Sequence, residues 1–375
     1  MTKHLTIYEN CSLGGIVSVI RERMRMLQPR GVEEYFYFLR DRGGVASLQS
    51  EGARHVFVGH LAVDNNVYNL IRQEGIPCVT LFSHFHMARN LKRDGLKVYL
   101  ELHDCPPATV APVGALKGSF DKIVVPSAWS RDWVHAEAGI PFEDIEIVPN
   151  FINTTIFRAD NRAPLATSHA RPMLWVGRLD ERKNWRDAVY IASLLKKRGL
   201  RIQPIFVLSL RFEDEYVHDF IDQLALLGIE EESKVYYNLS QHDLAQMMRD
   251  LAHLGGCFLS TARLESFGLG IVEALACGLP VVASAVGAVP EHMVHSESGY
   301  LFPFGERVAA ADFVEECLFV RQSRLRVLSG MKGLKLDEKR AGAVEQLYGM
   351  LSASPAPAAA EPQRPAKAAT VAAGS

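Results

Sequence analysis

Long apolar runs are missing from this sequence, although hydrophobic residues make up 48% of its 375 positions. No uninterrupted stretch reaches the ~18 apolar residues that a membrane-spanning helix needs. The N-terminus, MTKHLTIYENCSLGG, is short and interrupted by charged residues, so we expect no signal peptide. These absences predict a soluble, cytoplasmic protein.

Cysteine pairs and an excess of positive charge are also missing. The six cysteines are scattered without framework spacing, which indicates reduced thiols rather than disulfides or a zinc site. The formal net charge is −2, and acidic and basic residues nearly balance in both halves of the chain. This balance argues against a nucleic-acid partner. One basic stretch, RERMRMLQPR (21–30), leaves peripheral membrane contact open, although a half-buried helix gives the same pattern.

What the sequence does contain is an alternation of short β-rich runs with helix-like stretches, which is typical of parallel α/β layers. The alternation restarts at MLWVG (173–177) after a polar, linker-like segment at 159–172. We predict two Rossmann-like α/β domains at 1–165 and 166–350 that face each other across a cleft. We expect the last helix to return to the first domain. The Ala/Pro-rich tail at 351–375 predicts disorder and is typical of a high-GC bacterial source.

The segment Glu265–Glu273, ESFGLGIVE, carries the clearest chemical signal. Gly268 and Gly270 allow a turn that opens a helix, whose free N–H groups and dipole suit a phosphate. Glu273 lies further into this helix, where its carboxylate can accept hydrogen bonds from ribose hydroxyls. The two carboxylates therefore flank one candidate phosphate site.

This segment resembles the signature of the retaining glycosyltransferases of the GT-B fold, family 4, in which two such glutamates precede Gly-x-Pro-Val. Four further segments match the family in order: SLGGI (12–16), VVPSAWSRDWV (124–134), IVPNFINTTIF (147–157) and WVGRLDERKNW (175–185). The resemblance covers nearly the whole chain except the tail. One departure is Asn238, which replaces a glycine near the expected nucleotide base.

The resemblance implies a metal-independent hexosyltransferase whose co-substrate is a nucleoside diphosphate sugar, first of all a UDP-sugar, and which needs no cofactor. The donor would lie on the second domain, and the acceptor, a sugar or another hydroxyl compound, on the first. Arg178 and Lys183 match the diphosphate-binding pair, Glu273 the ribose ligand, and Glu265 the group at the donor sugar or reaction centre. Further donor contacts are implied for residues of the two glycine loops: Gly15, Phe267, Gly268 and Leu269.

Histidines after the strand CVTLF are further candidates. Family members often carry a histidine here that contacts the donor sugar, and His86 is the best match, so we predict His86 as catalytic together with Glu265. His84 and His103 are alternatives, and each of the three can equally be a structural histidine. With Asp104 and Cys105 they also resemble a metal cluster, but their spacing matches no known ligand pattern.

We therefore expect transfer of a sugar from a nucleoside diphosphate sugar to an acceptor hydroxyl on a small metabolite or a cell-surface glycan, with the anomeric configuration retained. No carboxylate in the first half stands out as a nucleophile partner, which favours same-face attack guided by the leaving phosphate. Two alternatives stay open: an epimerase or phosphorylase of the same fold, and a catalytically silent protein that binds nucleotide sugars for another transferase.

Overall fold

The computed structural model describes residues 2–12, 14–103, 106–160, 162, 170–209 and 216–352. Several sequence predictions therefore fall wholly or partly outside the described residues: the tail from 353 on, most of the linker, and the metal alternative at Asp104 and Cys105. No helix in the described ranges combines the length and the apolar content that crossing a bilayer requires. The five cysteines in these ranges are buried and free.

The first domain is a parallel sheet with helices on both faces. Its strands are β1 (Thr2–Ser12), β2 (Val32–Arg42), β3 (His55–Val58), β4 (Cys78–Leu81), β5 (Lys97–Glu101), β6 (Lys122–Val125) and β7 (Ile145–Ile147). Its helices are α1 (Gly15–Leu27), α2 (Val45–Ser50), α3 (Val63–Glu74), α4 (Ala88–Arg93), α5 (Pro107–Val110) and α6 (Ala128–Ala138). In the described ranges the strand order is β3-β2-β1-β4-β5-β6-β7, and neighbouring strands pair in parallel.

The second domain repeats this architecture. Its strands are β8 (Arg171–Gly177), β9 (Ile202–Leu208), β10 (Lys234–Tyr237), β11 (Cys257–Ser260), β12 (Val281–Ser284) and β13 (Tyr300–Phe302), in the order β10-β9-β8-β11-β12-β13 among the described residues. Its helices are α7 (Trp185–Lys197), α8 (Tyr216–Leu226), α9 (Gln241–His253), α10 (Leu269–Ala276), α11 (Arg307–Phe319) and α12 (Arg321–Met331). The predicted fold class of two Rossmann-like domains is confirmed.

The last helix, α13 (Leu336–Ser352), leaves the second domain and packs on the first. Its buried residues Ala343, Val344, Leu347 and Leu351 share an apolar cluster with residues of α1, β2, β4, β5 and β6. Tyr99 and Lys97 of β5 both donate hydrogen bonds to the carbonyl of Met350, at 2.7 and 3.0 Å. The expected return of the last helix to the first domain is therefore seen, and this helix ties the two domains together.

The carboxyl ends of the strands in both sheets meet at the interface between the domains. In parallel α/β sheets this edge is where loops of variable sequence collect and where ligands bind. The residues that the sequence singled out in the second domain follow β8 and β11, the two central strands of its sheet. The fold thus places the candidate site in the cleft.

Candidate functional site

The N-terminus of α10 is the centre of the candidate site. Gly268 precedes the helix with φ +87°, a left-handed conformation that glycine adopts without a steric penalty. Among the described residues no side chain caps this end, and no acidic residue lies in the first turn. The first N–H groups of α10 therefore point outward as donors for an anion.

The loop before α10 packs against His292 through Phe267. Phe267 is buried, and its ring meets the ring of His292 edge-on at a centroid distance of 4.6 Å. The Nε2 atom of His292 lies 2.5 Å from the carbonyl oxygen of Phe267. Burial lowers the pKa of His292, which favours the neutral ring. The loop is thereby fixed on a packed, uncharged support.

Glu265 is positioned by its backbone and paired through its side chain. The N–H of Ala288 donates to the Glu265 carbonyl at 2.9 Å, and a Cβ at Gly287 would come within 2.0 Å of that oxygen. The ammonium group of Lys183 donates to the Glu265 carboxylate, whose side chain is 14% exposed. The structure therefore brings together two residues that are 82 positions apart.

The second predicted cation, Arg178, lies in the same loop as Lys183, after β8. Its guanidinium donates to Asp180 at 2.8 Å, while Asp180 also accepts the Lys183 N–H at 2.9 Å. Asp180 was not singled out from the sequence, although its position between the two cations is a usable signal. Both predicted cations are thus placed by acidic neighbours at one end of the cleft.

Glu273 is half-buried on α10, four residues after Leu269, the first residue of that helix. Burial raises the pKa of its carboxyl to about 7, against the opposing charges of Lys183 and Arg21, and Glu22 raises it further. Since Arg21 and Glu22 belong to α1, the carboxylate lies within electrostatic reach of both domains. In the described ranges no residue makes a hydrogen bond to it. A partly desolvated carboxylate without a partner is suited to accept hydrogen bonds from a ligand.

The glycine loop of the first domain meets α10 directly. Gly15 begins α1, and a Cβ placed on it would lie 3.4 Å from Cδ1 of Leu269. One helical turn further, Ser18 accepts a hydrogen bond from the side chain of Gln241 at 3.3 Å. The N-termini of α1 and α10 therefore face the same space.

Ser266 lies in the loop between β11 and α10. It links this loop to the first domain through both its side chain and its backbone. Its hydroxyl donates to the carbonyl of His103 at 2.5 Å. Its own carbonyl accepts from the hydroxyls of Ser127 and Ser130 at 2.8 and 3.2 Å. The sequence analysis did not identify this role, because a serine between two signature residues carries no signal of an interdomain contact.

Glu291 makes a second link between the domains. Its carboxylate accepts the N–H groups of Ala128 and Trp129, at 3.1 and 2.8 Å, and so caps α6 from the opposite domain. A carboxylate at a helix N-terminus is stabilised by both the hydrogen bonds and the helix dipole. Polar contacts from two loops of the second domain therefore meet at the N-terminus of α6 in the first domain.

The three candidate histidines lie in different surroundings. His86 is 62% exposed and lies 3.3 Å from the Asp64 carboxylate, and its ring centroid is 5.4 Å from that of His84. His84 has φ +59°, and burial, followed by the charge of His86, lowers its pKa. The His103 side chain is only 6% exposed, and its carbonyl meets the loop that carries Glu265. The prediction of His86 as a catalytic group stays a prediction.

Asn238 shows why the glycine of the family pattern can be replaced at this position. Its φ is +48°, a left-handed conformation in which asparagine is tolerated better than most other residues.

No group of three or more His, Cys, Asp or Glu suited to a metal ion occurs within the described part of the chain.

Two family models match the chain, one after the other. The model described as Glycosyltransferase Family 4 matches residues 13–156, and the model described as Glycosyl transferases group 1 matches residues 158–327. Between them they cover most of both domains.

Two individual relatives are each 29% identical to this chain over the matched segment. D-inositol 3-phosphate glycosyltransferase 1 of Catenulispora acidiphila is 29% identical over 265 residues, which is 68% of this chain and 61% of that protein. A probable sucrose-phosphate synthase of Thermosipho melanesiensis is 29% identical over 159 residues, 42% of this chain and 36% of that protein. The matched segments thus span less than two thirds of either relative.

Solved structures agree in fold. Anabaena HepE in complex with UDP and glucose superposes with a TM-score of 0.78 at 18% identity, covering 92% of this chain and 99% of that one. Sucrose-phosphate synthase from Thermosynechococcus elongatus gives a TM-score of 0.75 at 15% identity, covering 94% and 99%. At such identities the likeness concerns the architecture of the two domains.

Proposed function

Because this chain belongs to the group 1 glycosyltransferases of the GT-B fold, we propose that it moves a sugar from a nucleoside diphosphate sugar to an acceptor hydroxyl with retention of the anomeric configuration. The observation that carries the proposal is the Lys183–Glu265 pair beside the uncapped N-terminus of α10. One cation, one carboxylate and a set of free N–H groups converge there.

The diphosphate is the part of the donor that this arrangement suits best. As the sugar leaves, negative charge grows on the phosphate and positive charge on the anomeric carbon. Lys183, Arg178 and the α10 N-terminus would stabilise the phosphate charge, as preorganised groups do in electrostatic catalysis. We propose that these fixed positive charges act without a metal ion.

The nucleoside would lie along α10 toward Glu273. The Glu273 carboxylate would accept hydrogen bonds from ribose hydroxyls. Structures of HepE in complex with UDP or UDP-glucose make a UDP-sugar the first donor to test. Gly15 would let the first domain approach the phosphates closely, since Leu269 is already its neighbour.

Glu265 is proposed to contact the sugar rather than to attack it. Its ion pair with Lys183 keeps the Glu265 carboxylate ionised and fixed in position. A fixed negative charge there would stabilise the positive charge that develops on the anomeric carbon. The acceptor would then attack from the same face as the leaving phosphate, whose oxygen takes the proton. Mass spectrometry of protein quenched during turnover tests this step, and a glycosyl adduct on Glu265 would refute it.

The first domain is proposed to hold the acceptor and to supply a histidine to the sugar. The contact between Ser266 and the His103 carbonyl favours His103 for that place, whereas His86 lies beside Asp64 of its own domain. His103→Ala and His86→Ala, compared in one turnover assay, decide between them: the larger loss of turnover identifies the histidine at the reacting sugar.

A thermal-shift panel of nucleotides and nucleotide sugars tests the donor. A ligand that binds only the folded protein stabilises it with the logarithm of its concentration over its Kd, so the correct nucleotide raises the melting temperature most. The selected donor is then incubated with and without candidate acceptors, and nucleotide release and sugar products are measured.

Three outcomes separate the candidate functions. Acceptor-dependent nucleotide release with a new glycoside supports the transferase. An isomerised donor formed without acceptor indicates an epimerase. A donor that binds but stays intact with every acceptor, in both wild type and Glu265→Gln, indicates a silent sugar-nucleotide-binding protein.

A further inference from the structure

We propose that Glu101 and Arg23 form a buried positioning pair that orients His103 toward the loop carrying Glu265. This inference rests on the proposed function and deepens it, because it names residues that act through the histidine without touching substrate. It arises from three side chains that the first domain encloses between α1, the end of β5 and the cleft.

The three side chains form a continuous chain of hydrogen bonds. Arg23 on α1 donates to the Glu101 carboxylate and contacts both of its oxygens, and Nε2 of His103 lies 2.6 Å from one of them. Glu101 is 3% exposed and Arg23 6%. Glu101 is the last residue of β5, so its side chain and that of His103, two positions on, can share one side of the chain.

A carboxylate fixes the proton on this histidine. When ionised it only accepts hydrogen bonds, so Nε2 of His103 must carry a hydrogen whether the ring is neutral or charged. Burial alone would raise the pKa of Glu101, but Arg23 and His103 outweigh it and the pKa lies below its usual value. The carboxylate therefore stays ionised near neutral pH and keeps an acceptor oxygen beside Nε2 of His103.

The ring is also fixed in its plane. Phe82 stacks on His103 with centroids 5.3 Å apart and an angle of 10°. Together with the Nε2 contact, this leaves the imidazole little freedom to rotate. The backbone of the same residue accepts the Ser266 hydroxyl at 2.5 Å, next to Glu265 in the sequence. The backbone of His103 is thus tied to the loop of Glu265 and Ser266, while the Glu101 carboxylate and Phe82 orient its ring.

Stability alone does not explain this pair. A buried ion pair gains little over well-packed apolar residues, because two charges must be desolvated to make it. An apolar pair between α1 and β5 would fill the same space, but it would leave the His103 ring without a fixed tautomer. The geometry therefore points to orientation of His103 as the role of the pair.

The test combines Glu101→Gln with His103→Ala in a double-mutant cycle, measured as UDP release from UDP-glucose or from the donor that the panel selects. A glutamine both donates and accepts, so it no longer imposes a hydrogen on Nε2. We expect kcat to fall about 10- to 100-fold, the range typical of losing an ion's hydrogen bond, with the donor KM unchanged. In the His103→Ala background the same substitution should have no further effect.

Glu34→Gln is the matched control. Glu34 is a carboxylate buried to a similar degree in the same domain, but it lies beside His4, at 3.5 Å, rather than beside His103. This control should keep wild-type kcat. An equal loss in the His103→Ala background, or an equal loss in Glu34→Gln, would show that Glu101 is only structural and would overturn the proposal.

A spectroscopic measurement is independent of turnover. Nitrogen-15 spectra of the histidine side chains, with His103 assigned by its loss in His103→Ala, should show a protonated Nε2 in the wild type and a changed signal in Glu101→Gln. An unchanged His103 signal would refute the positioning role. If no donor is turned over by the wild type, the proposed function fails, while this spectrum still decides the present inference.

If Glu101→Gln does not fold, Glu101→Asp replaces it. This variant keeps the charge for Arg23 but withdraws the carboxylate by one methylene, so we expect a shifted His103 signal and a reduced kcat. Wild-type spectra and wild-type kcat in this variant would also overturn the proposal.

Discussion

Replacing Glu273 with glutamine should make the protein more stable at alkaline pH and a poorer binder of nucleotide sugars. Burial raises the pKa of this carboxyl from the ordinary 4.5 to about 7. A raised carboxyl pKa contributes stability that is fully present below the unfolded value, near 4.5, and is lost as the pH rises through about 7. Glutamine has the same shape but never ionises, so it avoids this loss.

The size of the effect follows from the pKa difference. At 1.36 kcal/mol per pKa unit, the shift corresponds to a loss of at most about 3 kcal/mol in the free energy of unfolding at pH 8. Solvent that reaches this half-buried carboxylate makes the loss smaller. Thermal unfolding of the wild type and of Glu273→Gln should therefore differ little at pH 4.5 and by several degrees at pH 8. Glu230→Gln, at an exposed loop position, is the control and should show no such pH-dependent difference.

The same variant tests the proposed ribose contact. If ribose hydroxyls donate to the ionised carboxylate, binding of UDP-glucose at pH 6 should release close to one proton from the wild type, and fewer at pH 8. Calorimetry in buffers of different ionisation enthalpy counts these protons. Glu273→Gln should bind more weakly and release none. Equal proton release in both proteins, or a variant less stable than wild type at pH 8, would refute the reasoning.

Three further substitutions probe the interface and the core. Glu291→Ala removes the two carboxylate oxygens that accept from the first N–H groups of α6 but leaves the Ser127 cap, and it should lower the free energy of unfolding by about 1 kcal/mol and expand the protein in small-angle scattering; an unchanged radius of gyration would contradict the role of Glu291 between the domains. Leu347→Ala should lower the free energy of unfolding of the first domain by about 2–5 kcal/mol in urea, although it lies near the end of the chain, and a loss confined to the second domain would be unexpected. Gly287→Ala should weaken UDP binding in a titration, because its φ is +54° and its Cβ would meet the Glu265 carbonyl; wild-type affinity would show that this loop is free to adjust.

Most of the fold could be predicted from the sequence because the apolar periodicity is strong. The alternation of strands and helices is observed in both domains, its restart at MLWVG (173–177) lies in β8, and the strand expected at CVTLF (78–82) is β4. Gly268 and Gly270 were expected to allow a turn that opens a helix, and α10 begins directly after Gly268. These features depend on local sequence alone.

The strand β5 was not predicted, for a physical reason. Its sequence KVYLE begins and ends with charged residues, which suggests a surface segment rather than a central strand. Glu101 can be buried there only because Arg23, 78 positions away, pairs with it. Such compensation depends on tertiary contacts, which periodicity does not contain.

The site was predictable in its residues but not in its contacts. The signature identified Glu265 and Lys183, yet their ion pair depends on how two loops of the second sheet meet. The family match ranked His86 above His84 and His103, but the sequence could not place their rings, since the chain after β4 is not extended: His84 is left-handed and Phe85–Met87 forms a short 3-10 turn. The role of Ser266 arises from the closure of the domains on each other.

Titration of UDP into the protein tests most directly the central claim, that Lys183 and Arg178 bind the donor diphosphate beside the segment Glu265–Glu273. Calorimetry should show binding to the wild type and at least about 10-fold weaker binding to Lys183→Met and to Arg178→Met, since each loses a charge-assisted contact to phosphate. Lys335→Met, which removes an exposed lysine, should bind like the wild type. Equal affinity in all four proteins would contradict the account.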